Sequence, residues 1–216
     1  MSKLFVVTER KLVAGDFLEH LRRIIAARPH AIILREKDLS FSAYLSLVDQ
    51  LIPLCENADI HLILNWRDPM IRYPGTLVQL PYAVAKNGPV GTPFAVSVHS
   101  VAEIDQLNDS QAAYYLVGNI YETSCKPGKA ACGLAFLTEC THAARQPVIA
   151  IGGITPERVP DILATGAAGY AVRSPLMTAA DPVSLIKRFH QFEKRSLANE
   201  QLSNPNGRRQ SRPHHP

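Results

Sequence analysis

Eight times along the chain a short apolar or β-branched run gives way to a stretch with helical spacing, and this alternation constrains the fold more than any other feature. The runs are LFVVTE (4–9), AIILRE (31–36), HLILN (61–65), TLVQL (76–80), FAVSV (94–98), YYLVG (114–118), PVIAIGG (147–153) and GYAVRS (169–174). Alternation of this kind implies parallel strands joined by crossover helices. Eight units predict a single (β/α)8 barrel, and 216 residues, 46% of them hydrophobic, are enough to bury one core.

Cap signals divide the units. Ser40 precedes a stripe of Leu45, Val48, Leu51 and Ile52, which predicts an N-cap and an amphipathic helix. Ser100 and Thr155 are expected to cap in the same way, with Pro156 at the first helical position and Gly166 ending that helix. Pro69, Pro74 and Gly75 predict an irregular connection between Asn65 and Thr76. The barrel domain is expected over 1–195. Residues 196–216, polar and without an apolar period, are expected to form a disordered tail.

Composition narrows the function classes. The net charge of +4 draws on Arg208, Arg209 and Arg212 in that final segment, so nucleic acid is not an expected partner. No run of about 18 apolar residues appears, which points to a cytoplasmic protein with no membrane partner. The four cysteines, Cys55, Cys125, Cys132 and Cys140, lack CxxC pairing and read as reduced thiols; with His142 they match no common zinc spacing, and no metal or cofactor is expected.

In such a barrel function collects at the carboxyl ends of the strands. Gly152 and Gly153 before a helix start, with Arg173 and Ser174 on the next strand end, are candidates for a phosphate cradle; a tight strand-to-helix turn is the alternative for the glycines. Arg35 and Lys37 suit an anion clamp, although Arg35 could instead pair with Glu36. Asn65, Gln79 and Ser97 fall at neighbouring strand ends. Thr123 and Lys126 belong to a long polar loop of the kind that binds ligands, with a solvated charge as the alternative for Lys126.

The motifs LREK, SVHS, VGNIYETSCKPG, PVIAIGGITPERV and GAAGYAVRSPL, in this order between about Lys3 and Phe192, resemble the TenI and thiamine phosphate synthase family. The resemblance implies a thiazole phosphate ligand, is compatible with a homo-oligomer, and carries the phosphate-binding role onto Gly152, Gly153, Arg173 and Ser174. Synthases of the family hold magnesium through aspartates. Here the corresponding stretches read Asn65-Trp66 and Val78-Gln79-Leu80-Pro81-Tyr82-Ala83, and VQLP is similar to the TenI branch, thiazole tautomerases that need no metal.

That branch transfers its proton with a histidine at the position of Asn119, and an amide cannot act as acid or base near neutral pH. Asn119 is therefore expected to polarise the substrate. His99 is the first candidate to compensate, with helix entry as its alternative role, and Glu122 and Cys125 follow. A non-catalytic thiazole-phosphate or thiamine-phosphate binding protein is the alternative function, and residual synthase activity ranks below it.

Overall fold

A computed structural model describes residues 3–65, 76–88, 92–123 and 130–203, the last seven as backbone only. Eight strands, β1 (Leu4–Val7), β2 (Ala31–Leu34), β3 (His61–Asn65), β4 (Leu77–Pro81), β5 (Phe94–Val98), β6 (Tyr115–Gly118), β7 (Val148–Ile151) and β8 (Gly169–Val172), form a closed barrel in chain order. Every neighbouring pair is parallel, and β8 returns to β1 with Phe5 opposite Ala171.

The two-residue period of a strand sorts each run onto two buried faces. Phe5, Val7, Ala31, Ile33, Ile63, Ala95, Leu116, Ile149 and Ala171 fill the barrel interior as one cluster. Their sequence neighbours, among them Val6, Ile32, Leu64, Val96, Val117 and Val172, pack outward against the helices. Each fully buried Leu, Ile, Val or Phe stabilises the fold by about 1.5–3 kcal/mol over its exposed state.

The outer ring contains α1 (Phe17–Ala26), α2 (Phe41–Asn57), α3 (Tyr82–Ala85), α4 (Val101–Leu107), α5 (Gly133–Ala143), α6 (Val159–Ala164), α7 (Ser174–Met177) and α8 (Pro182–Ser203). Ser40 and Ser100 cap α2 and α4, accepting from the N–H groups of Ala43 and Glu103 at 3.2 Å each. Gly166 follows α6 at φ +88°, a left-handed position suited to glycine.

Two expectations need correction. Thr155 makes no side-chain cap bond, because Pro156–Arg158 form a 3-10 turn and α6 starts only at Val159. The polar tail expected from 196 is helical as far as Ser203. Its Leu, Ala, Glu and Gln residues are good helix formers, and extending a helix already anchored by buried Ile186 and Phe189 avoids the cost of nucleation. Residues 204–216 lie outside the described residues, as does most of the connection after Asn65. Among the described residues no helix is long and apolar enough to cross a membrane.

Candidate functional site

The carboxyl ends of the strands bring together most of the polar residues singled out from the sequence. Asn65 and Gln79 are register partners near the ends of β3 and β4, and Ser97 is the penultimate residue of β5, opposite Pro81. Gln79 is 3% exposed and fully engaged: its Oε1 accepts from Tyr114 Oη at 2.7 Å and its Nε2 donates to Ser97 Oγ at 3.0 Å.

Across the mouth, Arg35 and Lys37 follow β2 and Arg173 follows β8. The three cations sense one another. The Lys37 ammonium is held below its ordinary pKa first by the Arg35 guanidinium, then by partial burial and by Arg173. Arg173 Nη1 is 3.2 Å from Glu9 Oε2, an ion pair that anchors the arginine beside the segment after β1. The Arg35 N–H donates to the buried Thr8 hydroxyl at 2.9 Å, which fixes the start of the same loop. Convergent cations that raise one another's energy are favourable to an anion, whose arrival removes the repulsion.

Glu36, offered above as a partner for Arg35, anchors a neighbouring loop: both its carboxylate oxygens accept from the Arg10 N–H, at 3.1 and 3.0 Å. Burial pushes its carboxyl above the ordinary range despite the lowering effect of hydrogen bonds from Thr8 and Arg10.

Gly152 and Gly153 have φ values of +108° and +64°. A Cβ on Gly152 would come within 2.6 Å of Asn119 Cβ, and one on Gly153 would meet the Glu122 carbonyl and, at 2.7 Å, Tyr121 Cβ. The glycines therefore let the loop after β6 close onto the loop after β7, a packing role in addition to a tight strand-to-helix turn. Their carbonyls are taken by the Tyr121 N–H at 3.1 Å and by the Arg158 guanidinium. Ser174 opens α7 beside Arg173.

Asn119 is buried, 2% exposed, and its Oδ1 has no hydrogen-bond partner among the described residues; its Nδ2 makes one long contact of 3.5 Å to the Tyr121 carbonyl. A buried acceptor without a donor costs about 1–3 kcal/mol, so the position calls for a donor. His99 is placed otherwise. Its side chain is 47% exposed, its N–H donates to Glu103 Oε2 at 2.6 Å, and its Nδ1 is 3.8 Å from the same oxygen, which is the helix-entry role. Thr123 is partly buried at the edge of the described loop, whereas Lys126 and Cys125 lie outside the described residues.

The barrel's amino end holds a cavity of about 490 Å³ lined by Phe5, His30, His61, Ile63, Leu77 and Tyr114 among others. It lies at the opposite end of the strands from the cations. Size alone does not make it the reacting site, because the converging cations and the neighbouring amides stand at the carboxyl end. Among the described residues no group of three or more His, Cys, Asp or Glu is arranged to hold a metal. Burial lifts the Cys55 and Cys140 thiols to about 11, so both are protonated at neutral pH.

A family model described as thiamine monophosphate synthase, the TMP-TENI family, matches residues 4–72 and 79–176. The chain belongs to this family. Among its TMP-TENI relatives are the thiamine-phosphate synthases of Roseiflexus castenholzii, 32% identical over 83% of this chain and 82% of the relative, and of Clostridium acetobutylicum, 29% identical over 82% and 88%. A solved thiamine phosphate pyrophosphorylase from Pyrococcus furiosus superposes with a TM-score of 0.77 at 26% identity, covering 90% of this chain and 96% of that one. The matched segments include every described residue of the mouth named above, from Glu9 to Ser174.

The magnesium of the family's synthases needs hard oxygen ligands. At the β4 end the oxygen present is the Gln79 amide, already accepting from Tyr114 in a buried site, and Glu9 is paired with Arg173. Asp68 lies outside the described residues. The described donor set does not fit a magnesium ion.

Proposed function

We propose that this TMP-TENI protein holds a thiazole phosphate at the carboxyl end of its barrel and acts on it as a TenI-type tautomerase with altered acid–base machinery. The observation that carries the reading is the composition of the mouth: Arg35, Lys37 and Arg173 converge on one side, and the neutral amides of Asn65 and Gln79 stand on the other. The cations suit the phosphate, together with donors around Gly152, Gly153 and Ser174. A neutral polar wall, with Gln79 buried behind Ser97, suits a polar heterocycle but offers no charge to a cation that would neutralise a diphosphate leaving group. Thr123 and Lys126 complete the ligand set as proposed contacts from the loop after β6.

Within this reading the phosphate site supplies positioning, and Asn119 polarises the ring; fixing a reactant in a near-attack geometry lowers a barrier without an ionisable group. A second reading, a thiazole-phosphate or thiamine-phosphate binding protein without turnover, is favoured by Asn119 itself and by the engagement of His99 with Glu103. The distinguishing experiment follows aromatisation of the carboxythiazole phosphate tautomer by absorbance. The expected result is conversion faster than in buffer and insensitive to chelators; a rate equal to buffer removes the enzymatic reading, and magnesium-dependent coupling to a pyrimidine diphosphate would replace it with synthase activity.

A further inference from the structure

Tyr114 stands immediately before β6, in the interior cluster, with its ring edge-on to Phe5 at 5.3 Å between centroids. Its ring belongs to the packed interior rather than to the mouth. Yet its hydroxyl reaches up the barrel to the Gln79 amide, and that amide reaches on to Ser97, so one hydrogen-bonded chain crosses β6, β4 and β5.

The chain has a direction. Among the described residues, Gln79 Oε1 is the acceptor that the Tyr114 proton finds. Turning the amide over would set its NH₂ against the hydroxyl and leave that buried proton without an acceptor, which is the costly arrangement. With Oε1 so fixed, Nε2 must face Ser97 as a donor. A serine oxygen that accepts from an amide keeps its own proton for another partner. Burial raises the Tyr114 phenol far above its ordinary value, so it remains a donor wherever the protein is folded.

We propose that Tyr114 is a positioning residue: acting through Gln79, it holds the half-buried Ser97 hydroxyl as a hydrogen-bond donor, so that the ligand group meeting Ser97 is an acceptor such as a ring nitrogen or a carboxylate oxygen. The ligand part of this inference rests on the thiazole-phosphate reading. The positioning part does not.

Two variants of the full chain test it, each measured with thiazole phosphate and with inorganic phosphate. Tyr114→Phe removes the hydroxyl and keeps the ring. Gln79→Glu keeps an acceptor for Tyr114 but turns the second oxygen towards Ser97, which then has to donate inward. Both variants are expected to weaken thiazole phosphate roughly tenfold while inorganic phosphate changes less than about twofold. A residue with only a packing role would lower both affinities together, and that outcome overturns the proposal, as does unchanged thiazole phosphate affinity in either variant.

The Gln79 side-chain amide, followed by ¹⁵N-resolved NMR without ligand, separates the two levels. Its protons are expected to exchange with water at least about tenfold faster in Tyr114→Phe than in the natural chain, as a released amide samples more open states. Unchanged exchange overturns the positioning role. Faster exchange in a protein that binds no thiazole phosphate keeps that role and rejects the ligand reading instead. Should Tyr114→Phe fail to fold, the Gln79→Glu affinities decide.

Discussion

Asn119→His is expected to raise the tautomerase rate by about 100-fold to 10,000-fold, the usual worth of a positioned general acid or base. The substitution restores an imidazole at the end of β6, where the resemblance to the TenI branch puts the proton-transferring residue. Imidazole can take and return a proton near neutral pH; the amide cannot. Among the described residues the Oδ1 of Asn119 has no donor, so removing the amide breaks no strong hydrogen bond with them. Thiazole phosphate affinity is expected to stay within a few-fold, because Arg35, Lys37 and Arg173 are untouched. A variant that binds ligand normally and gains no rate would favour the binding-protein reading.

The control for this variant has to come from the cation cluster. An aspartate at Gly153 would carry its Cβ into Tyr121 and the Glu122 carbonyl, at a φ of +64°, so it would distort the loop after β6 together with any phosphate site. Lys37→Met is cleaner: it removes one exposed charge and is expected to weaken binding while leaving the fold intact.

The largest stability effect is expected at Gly118, the last residue of β6. A Cβ there would lie against the Ile151 carbonyl, with Ile151 Cγ2 at 2.8 Å and the carbonyl carbon at 2.9 Å. These are largely backbone atoms of the neighbouring strand, paired in register with Gly118, and they cannot swing aside as a side chain would. Gly118→Ala should therefore destabilise the barrel by at least about 3 kcal/mol, at the upper end of what overpacking costs. Urea unfolding measures it as a fall in midpoint at constant slope. Gly88→Ala is the comparison: its Cβ meets nothing within 4 Å among the described residues, and the cost comes from a φ of +105°. Equal midpoints for the two variants would contradict the packing argument.

The barrel was legible in the sequence because parallel strands covered on both faces cannot hide their apolar runs. All eight runs named from the sequence overlap a strand, the fourth ending one residue short of Pro81, and the Ser40 and Ser100 caps form as expected. Thr155 misled because proline after it favours a 3-10 turn as readily as a full α-turn. Polarity misled at 196–203, where helix propensity and an anchored preceding helix outweigh the missing apolar stripe.

At the site, the strand-end rule located Arg35, Lys37, Gln79, Ser97 and Arg173 without saying which of them interact. Tyr114 and Gln79 are 35 residues apart, and Gln79 and Ser97 are 18 apart, so no local spacing announces their hydrogen bonds. Around Gly152 and Gly153 the atoms nearest the missing side chains belong to the loop after β6, a contact between segments about 30 residues apart that no local spacing announces. The local signal for this network is Tyr114 itself: a tyrosine just ahead of a strand, on its inward-facing parity, has a hydroxyl that must find a partner when buried.

Calorimetric titration with thiazole phosphate at about pH 9, in two buffers of different ionisation enthalpy, tests the central claim that the carboxyl end of the barrel is an anion site. At this pH a phosphate monoester is fully dianionic and exchanges no proton of its own. The free protein holds the Lys37 ammonium below its ordinary pKa, with Arg35 as the main cause. A bound dianion favours the charged form and raises that pKa, so binding takes up protons wherever the pH lies between the two values. The expected result is binding in the natural protein, with proton uptake appearing as the titration is repeated at rising pH, and weaker binding with that uptake lost in Lys37→Met. Absence of binding, or binding that ignores Lys37→Met and is abolished by His61→Ala at the amino-end cavity, would contradict the account.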